Sequence, residues 1–449
     1  MITVVFAHGL VQRSSLPIPE WLFGWAAAAV LCLSFVALAV LWPRPRLEHT
    51  GWKPLPAGIG RVLGSRAVEV LCGAIGVGVL ALVIVTGYVG PDTPLDNFAP
   101  TFVFIISWVG LVFVSVLLGD VFRAFNPWRA LGRVLFAWRE PRPYPPALGR
   151  WPATVGLFAF TWIELASGWG EEPGTLATAV AGYTVLTLIA MAVYGAEAWA
   201  RHGETFSVYF NLFSRLSVFE TRDRVVGTRP FLGGLPKLDP VPGTVGIVIV
   251  MIGTVTFDGL SQGQLWKDLA VQLNDGFESL GFSLETTPKL VATVGLAIGV
   301  AIAGGFYALG IEGARSVGGD FSAEQLRRRF IHSLVPIAMV YVAAHYLTFL
   351  LFEGQSIFYL ASDPFGDGWN LFGTANSAID YGLLSQNAAW YLQVAFIVLG
   401  HVAALVLAHD RALVLYPNAK LAVRSQYWML AIMVGFTSLA LWLLAQAGA

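Results

Sequence analysis

The chain has 449 residues, of which 56% are hydrophobic and only 12% are charged, against about 25% charged residues in an ordinary soluble domain. This composition excludes disordered, fibrous, nucleic-acid-binding and disulfide-rich secreted proteins. The formal net charge of −1 gives no overall electrostatic bias that would identify a partner. One spanning helix needs about 20 apolar residues, so we predict an all-α, polytopic integral membrane protein with about ten transmembrane helices.

Ten apolar segments along the chain are long enough to be predicted as membrane spans. In chain order they are residues 21–42, 67–89, 98–119, 151–168, 175–200, 243–259, 288–311, 333–352, 389–409 and 427–446. Their apolar runs are continuous, whereas the strands of a membrane barrel alternate apolar and polar residues. The segments are therefore predicted to be helices, which satisfy their own backbone hydrogen bonds in hydrocarbon.

Lysine and arginine are concentrated in every second connection between these spans. Residues 43–66, 120–150, 201–242, 312–332 and 410–426 together hold 24 of the 27 basic residues. Because positive charge collects on the cytoplasmic side, we predict a multi-pass protein of the cell membrane with both termini external.

Three segments outside the spans carry specific predictions. His8 would chelate copper if it were the mature amino terminus, although a mobile tail is the simpler interpretation. Residues 204–220 repeat apolar side chains at helical spacing, which predicts an amphipathic helix on the cytoplasmic membrane interface, with a docking surface as the alternative. Residues 353–388 are predicted as an external loop, in which Asp363 and Asp367 could hold Ca²⁺ or simply form turns.

Two features near the seventh span predict local packing. Residues 260–287 hold apolar side chains among acidic ones and are predicted to form a surface-lying external helix. Gly295, Gly299 and Ala303 are spaced by four residues on the seventh span. Such a stripe of small residues predicts a face on which another helix packs closely.

Ionisable residues inside the spans are the candidate functional residues, because a charge at membrane depth is expensive. His345 and His401 lie in consecutive antiparallel spans at similar depth, so the two rings could face one another. They could relay protons, ligate copper or haem, or each hydrogen-bond a neighbouring group. Glu164 lies in the outer part of the fourth span, and Asp258 lies at the outer end of the sixth.

Three adjacent polar residues mark the inner end of the ninth span, namely His409, Asp410 and Arg411. They could form an ion-paired cap or an inner gate. Electrostatics at the membrane boundary would also account for them.

No metalloprotease, phosphate-loop or nucleophile-elbow motif is present, which favours a function other than catalysis.

Five spans on each side of the central cytoplasmic segment would make a 5+5 inverted repeat, as in many secondary transporters. We therefore predict proton- or ion-coupled transport of a small solute or ion, with Glu164, His345, His401 and Asp258 on the pathway. The alternative is a membrane-embedded redox or metal-binding component, with haem or copper bound by His345 and His401, or a subunit of a larger membrane complex. A third alternative is a structural subunit in which no residue is catalytic. A homo-oligomer is also compatible with the sequence.

Overall fold

The structure is a computed structural model that describes residues 20–446. It is 71% helical, and eight helices of the described part are long and apolar enough to cross a membrane. The chain is therefore a helical multi-pass membrane protein, as its composition predicts. The copper hypothesis for His8 lies outside the described residues.

The helices follow the predicted apolar segments closely. In chain order they are α1 (Glu20–Leu41), α2 (Ala57–Leu63), α3 (Arg66–Val89), α4 (Phe98–Pro100), a π-helix (Thr101–Gly110), α5 (Leu111–Leu118), α6 (Phe122–Phe125), α7 (Pro127–Leu135), α8 (Trp151–Leu165), α9 (Pro173–Tyr194), α10 (Ala196–His202), α11 (Thr205–Ser214), α12 (Thr244–Ser261), α13 (Gln264–Ser279), α14 (Thr286–Ser316), α15 (Ala323–Phe330), α16 (Val335–Leu351), α17 (Ser356–Ser362), α18 (Gln386–Leu415), α19 (Ala419–Ser425) and α20 (Tyr427–Gln446). Single 3₁₀ turns lie at Trp169–Glu171, Ile331–Leu334 and Glu353–Gln355.

The predicted fourth span is the shortest of the ten in the structure. Helix α8 has 15 residues, which corresponds to about 22 Å, less than the roughly 30 Å of a hydrocarbon core. Helix α20, the predicted tenth span, has 20 residues. Neither α8 nor α20 is among the eight helices that meet the length and hydropathy requirements for a membrane span. The count of ten spans therefore remains a prediction.

The chain divides into two compact units. Among the described residues, the first unit comprises Gly51–Phe231 and Phe349–Leu383, and the second comprises 20–50, Leu232–Thr348 and 384–446. The first unit contains the predicted second to fifth spans, and the second contains the first span and nearly all of the sixth to tenth. The 5+5 inverted repeat stays a prediction.

A small antiparallel sheet in the first unit corrects the all-α prediction in one detail. Its strands are β1 (Lys53–Pro54), β2 (Phe219–Arg222) and β3 (Val225–Thr228), in the order β1-β3-β2. Asp223 and Arg224 join β2 to β3 with φ of 46° and 61°, and two left-handed residues are what a tight two-residue hairpin requires. The hairpin was missed because neither residue is glycine or asparagine.

The predicted interfacial helix at 204–220 is present as α11, but its environment is different. Tyr209, Phe210 and Phe213 are buried, and α11 packs against α5 and α8 within the first unit. The Glu204 carboxylate caps the helix by accepting hydrogen bonds from Phe206 N and Ser207 N. The helix is therefore covered by protein within the first unit, and its position at the cytoplasmic membrane interface stays a prediction.

The Glu204 carboxylate also connects α11 to two other helices of the first unit. It is fully buried and accepts hydrogen bonds from Asn126 Nδ2 at 2.8 Å and from the Tyr183 hydroxyl at 2.7 Å. Asn126 in turn caps α7 by accepting a hydrogen bond from Arg129 N. One buried acid therefore joins α7, α9 and α11, which a pattern of apolar spacing does not reveal.

A network of charged side chains joins α3, α7 and α10 in the first unit. Arg129, only 4% exposed, pairs with Glu69 at 2.8 Å and with Glu197 at 2.9 Å. Arg133 also pairs with both carboxylates. Burial by itself raises the pKa of Glu197, but the positive charges of Arg129 and Arg133 outweigh burial and lower the pKa below its usual value.

Helices α12 and α14 of the second unit approach closely at glycines. A Cβ atom on Gly299 would lie 2.5 Å from Gly253 O and 2.8 Å from Phe257 Cβ, and a Cβ atom on Gly295 would collide with Phe257 and Trp266. The predicted close-packing face on the seventh span is thus confirmed at Gly295 and Gly299. The predicted helix within 260–287 is α13, which is largely exposed apart from Trp266.

The inner end of α18 holds the chain that follows α1. Asp410, which is 1% exposed, accepts hydrogen bonds from Trp42 Nε1 and from the backbone N–H groups of Arg46, Leu47 and Glu48. Arg411 pairs with Glu48 at 2.6 Å. These contacts are compatible with the cap among the three interpretations of His409-Asp410-Arg411.

Candidate functional site

The candidate site is centred on the buried carboxylate of Asp258, in the last turn of α12. Asp258 is 1% exposed. His345 Nε2 lies 2.8 Å from Asp258 Oδ2, and the Tyr346 hydroxyl donates a hydrogen bond to the same oxygen at 2.7 Å. Because an ionised carboxylate only accepts hydrogen bonds, the Nε2-protonated tautomer of His345 is the one that pairs with an ionised Asp258. Two of the four predicted pathway residues, Asp258 and His345, are therefore joined by a direct hydrogen bond.

The local sequence explains why these three side chains meet. His345 and Tyr346 are consecutive residues of α16, so their side chains reach Asp258 from adjacent positions on one helix. Asp258 lies just beyond Gly253 and Phe257, which pack against α14 at its glycines. The absence of side chains at this helix crossing fixes the depth and rotation of α12, and hence the position of the carboxylate.

His401 on α18 has a different environment. It is 0% exposed, and its Nδ1 lies 2.7 Å from Ile397 O. A carbonyl oxygen only accepts, so Nδ1 carries the proton and the neutral ring presents a lone pair at Nε2. Nε2 is buried and has no hydrogen-bond partner among the described residues.

Tyr341, on α16 with His345, is in ring contact with His401 of α18. It is 6% exposed, its ring centroid is 6.3 Å from that of His401, and its ring stacks on Phe436. Tyr341 precedes His345 by four residues, which is about one helical turn. The expectation that the histidines face one another is therefore replaced by a different arrangement: His345 bonds Asp258, and His401 contacts Tyr341.

Three polar residues at these helices are not among the residues predicted from the sequence, namely Tyr341, Tyr346 and Gln393. Gln393 is buried on α18 and donates a hydrogen bond to Ala344 O at 2.8 Å, which connects α18 to α16. For two of these three residues, the distance in sequence to a predicted site residue could have indicated that they belong to the site. Tyr341 and His345 are four residues apart, and Gln393 and His401 are eight apart, so each pair shares one face of its helix. Tyr346 offers no such signal.

Glu164, the fourth predicted pathway residue, belongs to the first unit. It is half-buried in the last turn of α8 and lies near Tyr209 of α11. Burial raises the pKa of the Tyr209 hydroxyl, a hydrogen bond with Trp108 opposes this shift, and the negative charge of Glu164 adds to it. Glu164 is thus part of a polar and aromatic cluster with Trp108 and Tyr209 within the first unit.

The external loop forms turns at the residues considered for Ca²⁺. Asp363 Oδ1 accepts a hydrogen bond from Asp367 N at 3.0 Å, and Oδ2 accepts one from Gly368 N at 2.8 Å. Both carboxylate oxygens therefore bond the loop's own backbone, as in a turn. Within residues 20–446, no group of three or more His, Cys, Asp or Glu side chains is placed to hold a metal ion.

The chain matches no protein-family model, no curated protein and no solved structure. Within the described residues, the Asp258 site is the place where ionisable side chains predicted to be functional come into direct contact inside helices long enough to cross a membrane.

Proposed function

We propose that the protein is a proton-coupled secondary transporter of a small solute or ion, and that Asp258 with His345 is its proton-binding site. The observation that carries this proposal is the hydrogen-bonded carboxylate and imidazole, both buried, on two helices that meet the requirements for membrane spans. Ionisable groups at membrane depth are expensive and typically mark proton or substrate pathways.

The chemistry of the pair suits reversible proton uptake. With Asp258 ionised and His345 neutral, the pair carries one net negative charge in a medium of low dielectric constant. One added proton makes His345 an imidazolium beside the carboxylate, and the net charge becomes zero. The protonated pair has less net charge to solvate than the unprotonated pair. The protonated and unprotonated states would therefore favour different conformations of the protein, which is the requirement for coupling.

The topology is part of the same proposal. The alternation of basic residues supports ten spans in the cell membrane with both termini external. Ten spans would divide into two inverted sets of five, the arrangement in which many transporters alternate between two openings. In this proposal the chain works in the lipid bilayer on its small solute or ion, alone or as a homo-oligomer.

The test is proton flux into proteoliposomes, measured with a trapped pH-sensitive dye under an imposed pH gradient. We expect Asp258→Asn and His345→Gln each to lower the flux by about 100-fold, since each removes a proton-carrying group. Tyr346→Phe removes one of two hydrogen bonds to the same oxygen and should lower the flux by about tenfold.

Matched controls are available in the same unit. Asp268 and His49 are both exposed, and Asp268→Asn and His49→Gln should leave the flux unchanged. No flux in the wild type, or wild-type flux in Asp258→Asn, would show that the proposal is wrong.

A metal- or haem-binding component is the second candidate function. The observation that favours it is the unpartnered Nε2 of His401, whose tautomer is fixed by Ile397 O as it is in many histidine ligands. His345 is already bonded to Asp258, so it would have to turn away to join His401 as a ligand. Metal analysis and a visible spectrum of the purified protein decide this point: stoichiometric metal or a Soret band would favour it over transport.

A further inference from the structure

We propose that Tyr341 and His401 form the solute subsite of the transporter, and that its ligand is a small uncharged molecule with an N–H or O–H donor. This inference rests on the proposed function and deepens it by naming the class of solute. It rests structurally on two buried polar side chains in ring contact, each with an atom that no described residue satisfies.

His401 defines what the ligand must offer. Its Nδ1–H is committed to Ile397 O, so Nε2 is left as a hydrogen-bond acceptor. The ring is completely buried, and a positive charge there would lack the water that stabilises it, so the neutral form is favoured. The ligand must therefore donate a hydrogen bond to His401 Nε2.

Tyr341 supplies the second polar contact. Its hydroxyl is buried and unsatisfied by any described residue, although buried hydroxyls in native proteins are nearly always hydrogen-bonded. A phenol hydroxyl both donates and accepts. A ligand that bridges Tyr341 and His401 would satisfy both orphaned atoms, each of which is otherwise left with its full desolvation penalty.

The surroundings favour an uncharged ligand. The Tyr341 ring stacks on Phe436, and Phe436 meets Phe306 edge to face. These aromatic neighbours offer no counter-charge to an ion, and the nearby Asp258 carboxylate is already bonded to His345 and Tyr346. Burying an unpaired ion costs far more than burying a neutral polar molecule.

The solute subsite lies next to the proton-binding site on α16, which would couple solute binding to proton binding. Tyr341 lies one helical turn from His345 on the same face of α16. A solute held by Tyr341 would therefore share a rigid helix with the group that takes up the proton. A movement of α16 that follows proton binding at His345 would reposition the solute's own contact.

The experiment uses the full chain in lipid nanodiscs with ¹⁵N-labelled histidine, and three related probes. Acetamide is uncharged and has N–H donors, N,N-dimethylacetamide has none, and acetate is charged. We expect acetamide to shift the His401 Nε2 resonance saturably, and the other two probes to leave it unchanged. His401→Gln, which lacks the resonance, assigns it.

Tyr341→Phe should weaken acetamide binding by about tenfold. Tyr307→Phe is the matched control, because the Tyr307 hydroxyl is buried in the same unit but donates to Arg327 O at 2.6 Å. It should leave acetamide binding unchanged.

Thermal stability provides a second readout that needs no ligand. Tyr341→Phe should keep or raise the melting temperature because it removes an unsatisfied hydroxyl, whereas Tyr307→Phe should lower it.

Four results would overturn the subsite. They are no response to acetamide, an equal response to either other probe, undiminished binding in Tyr341→Phe, and a melting temperature of Tyr341→Phe as low as that of Tyr307→Phe. Proton flux in the wild type without acetamide binding would contradict the subsite alone. Acetamide binding without proton flux would contradict the proposed transport function and leave the subsite standing.

Discussion

Replacing Gly299 by alanine should destabilise the second unit by about 1–3 kcal/mol, the usual cost of overpacking a close contact. The added Cβ would lie 2.5 Å from Gly253 O and 2.8 Å from Phe257 Cβ. The first of these atoms belongs to helix backbone and cannot rotate away, so α12 and α14 must separate. Because Asp258 follows Phe257, the separation should also displace the carboxylate from His345.

Gly305 on the same helix is the matched control. A Cβ there meets no atom within 4 Å, and alanine favours a helix over glycine by about 0.5–1 kcal/mol. Gly305→Ala should therefore keep or raise the melting temperature in detergent, while Gly299→Ala lowers both the melting temperature and the proton flux. Equal melting temperatures for the two variants would contradict the close packing of α12 on α14.

Replacing Asp410 by alanine should destabilise the protein by about 4 kcal/mol and loosen the chain at residues 42–48. The carboxylate accepts four hydrogen bonds, from Trp42 Nε1 and from three successive backbone N–H groups. Truncation leaves these donors without their acceptor, and unsatisfied donors that stay buried cost about 1–3 kcal/mol each. Hydrogen exchange at Arg46, Leu47 and Glu48 should accelerate accordingly.

Asp410→Asn is the informative companion variant. This variant keeps the shape of the side chain but replaces one accepting oxygen by an NH₂ group. Its melting temperature should therefore lie between those of the wild type and Asp410→Ala. Asp320→Ala, which removes an exposed carboxylate of the same unit, serves as the control and should change the melting temperature little. Unchanged hydrogen exchange at residues 46–48 in Asp410→Ala would show that the carboxylate does not hold this segment.

Apolar periodicity predicts a helix over 204–220, where α11 occupies Thr205–Ser214, but it does not predict what covers that helix. The aromatic side chains of α11 could face lipid or protein equally well, because hydrocarbon tails and a protein core are both apolar. The hydrogen bonds of Glu204 with Asn126 and Tyr183 hold α11 against protein. Both partners are far from Glu204 in sequence, so no local pattern signals them.

The contacts of the candidate site likewise could not be predicted from local sequence patterns. Asp258 and His345 are each predictable as polar residues in apolar spans, but they are 87 residues apart. Similar depth in two consecutive spans predicts a pairing of His345 with His401 instead, because depth along a helix does not specify its rotation. Rotation is set by packing, here by the glycines of α14 against α12.

The class of the protein, the approximate positions of its long helices and the glycine face of α14 are all predictable from the amino-acid sequence. These properties follow from composition and from repeats within one helix, which are local. The hydrogen bonds of Asp258 with His345 and Tyr346, the contact of His401 with Tyr341, and the hold of Asp410 on the backbone after α1 depend on how whole helices pack. A hydrogen bond requires two atoms about 3 Å apart in a defined direction, and only the packing of whole helices fixes that geometry.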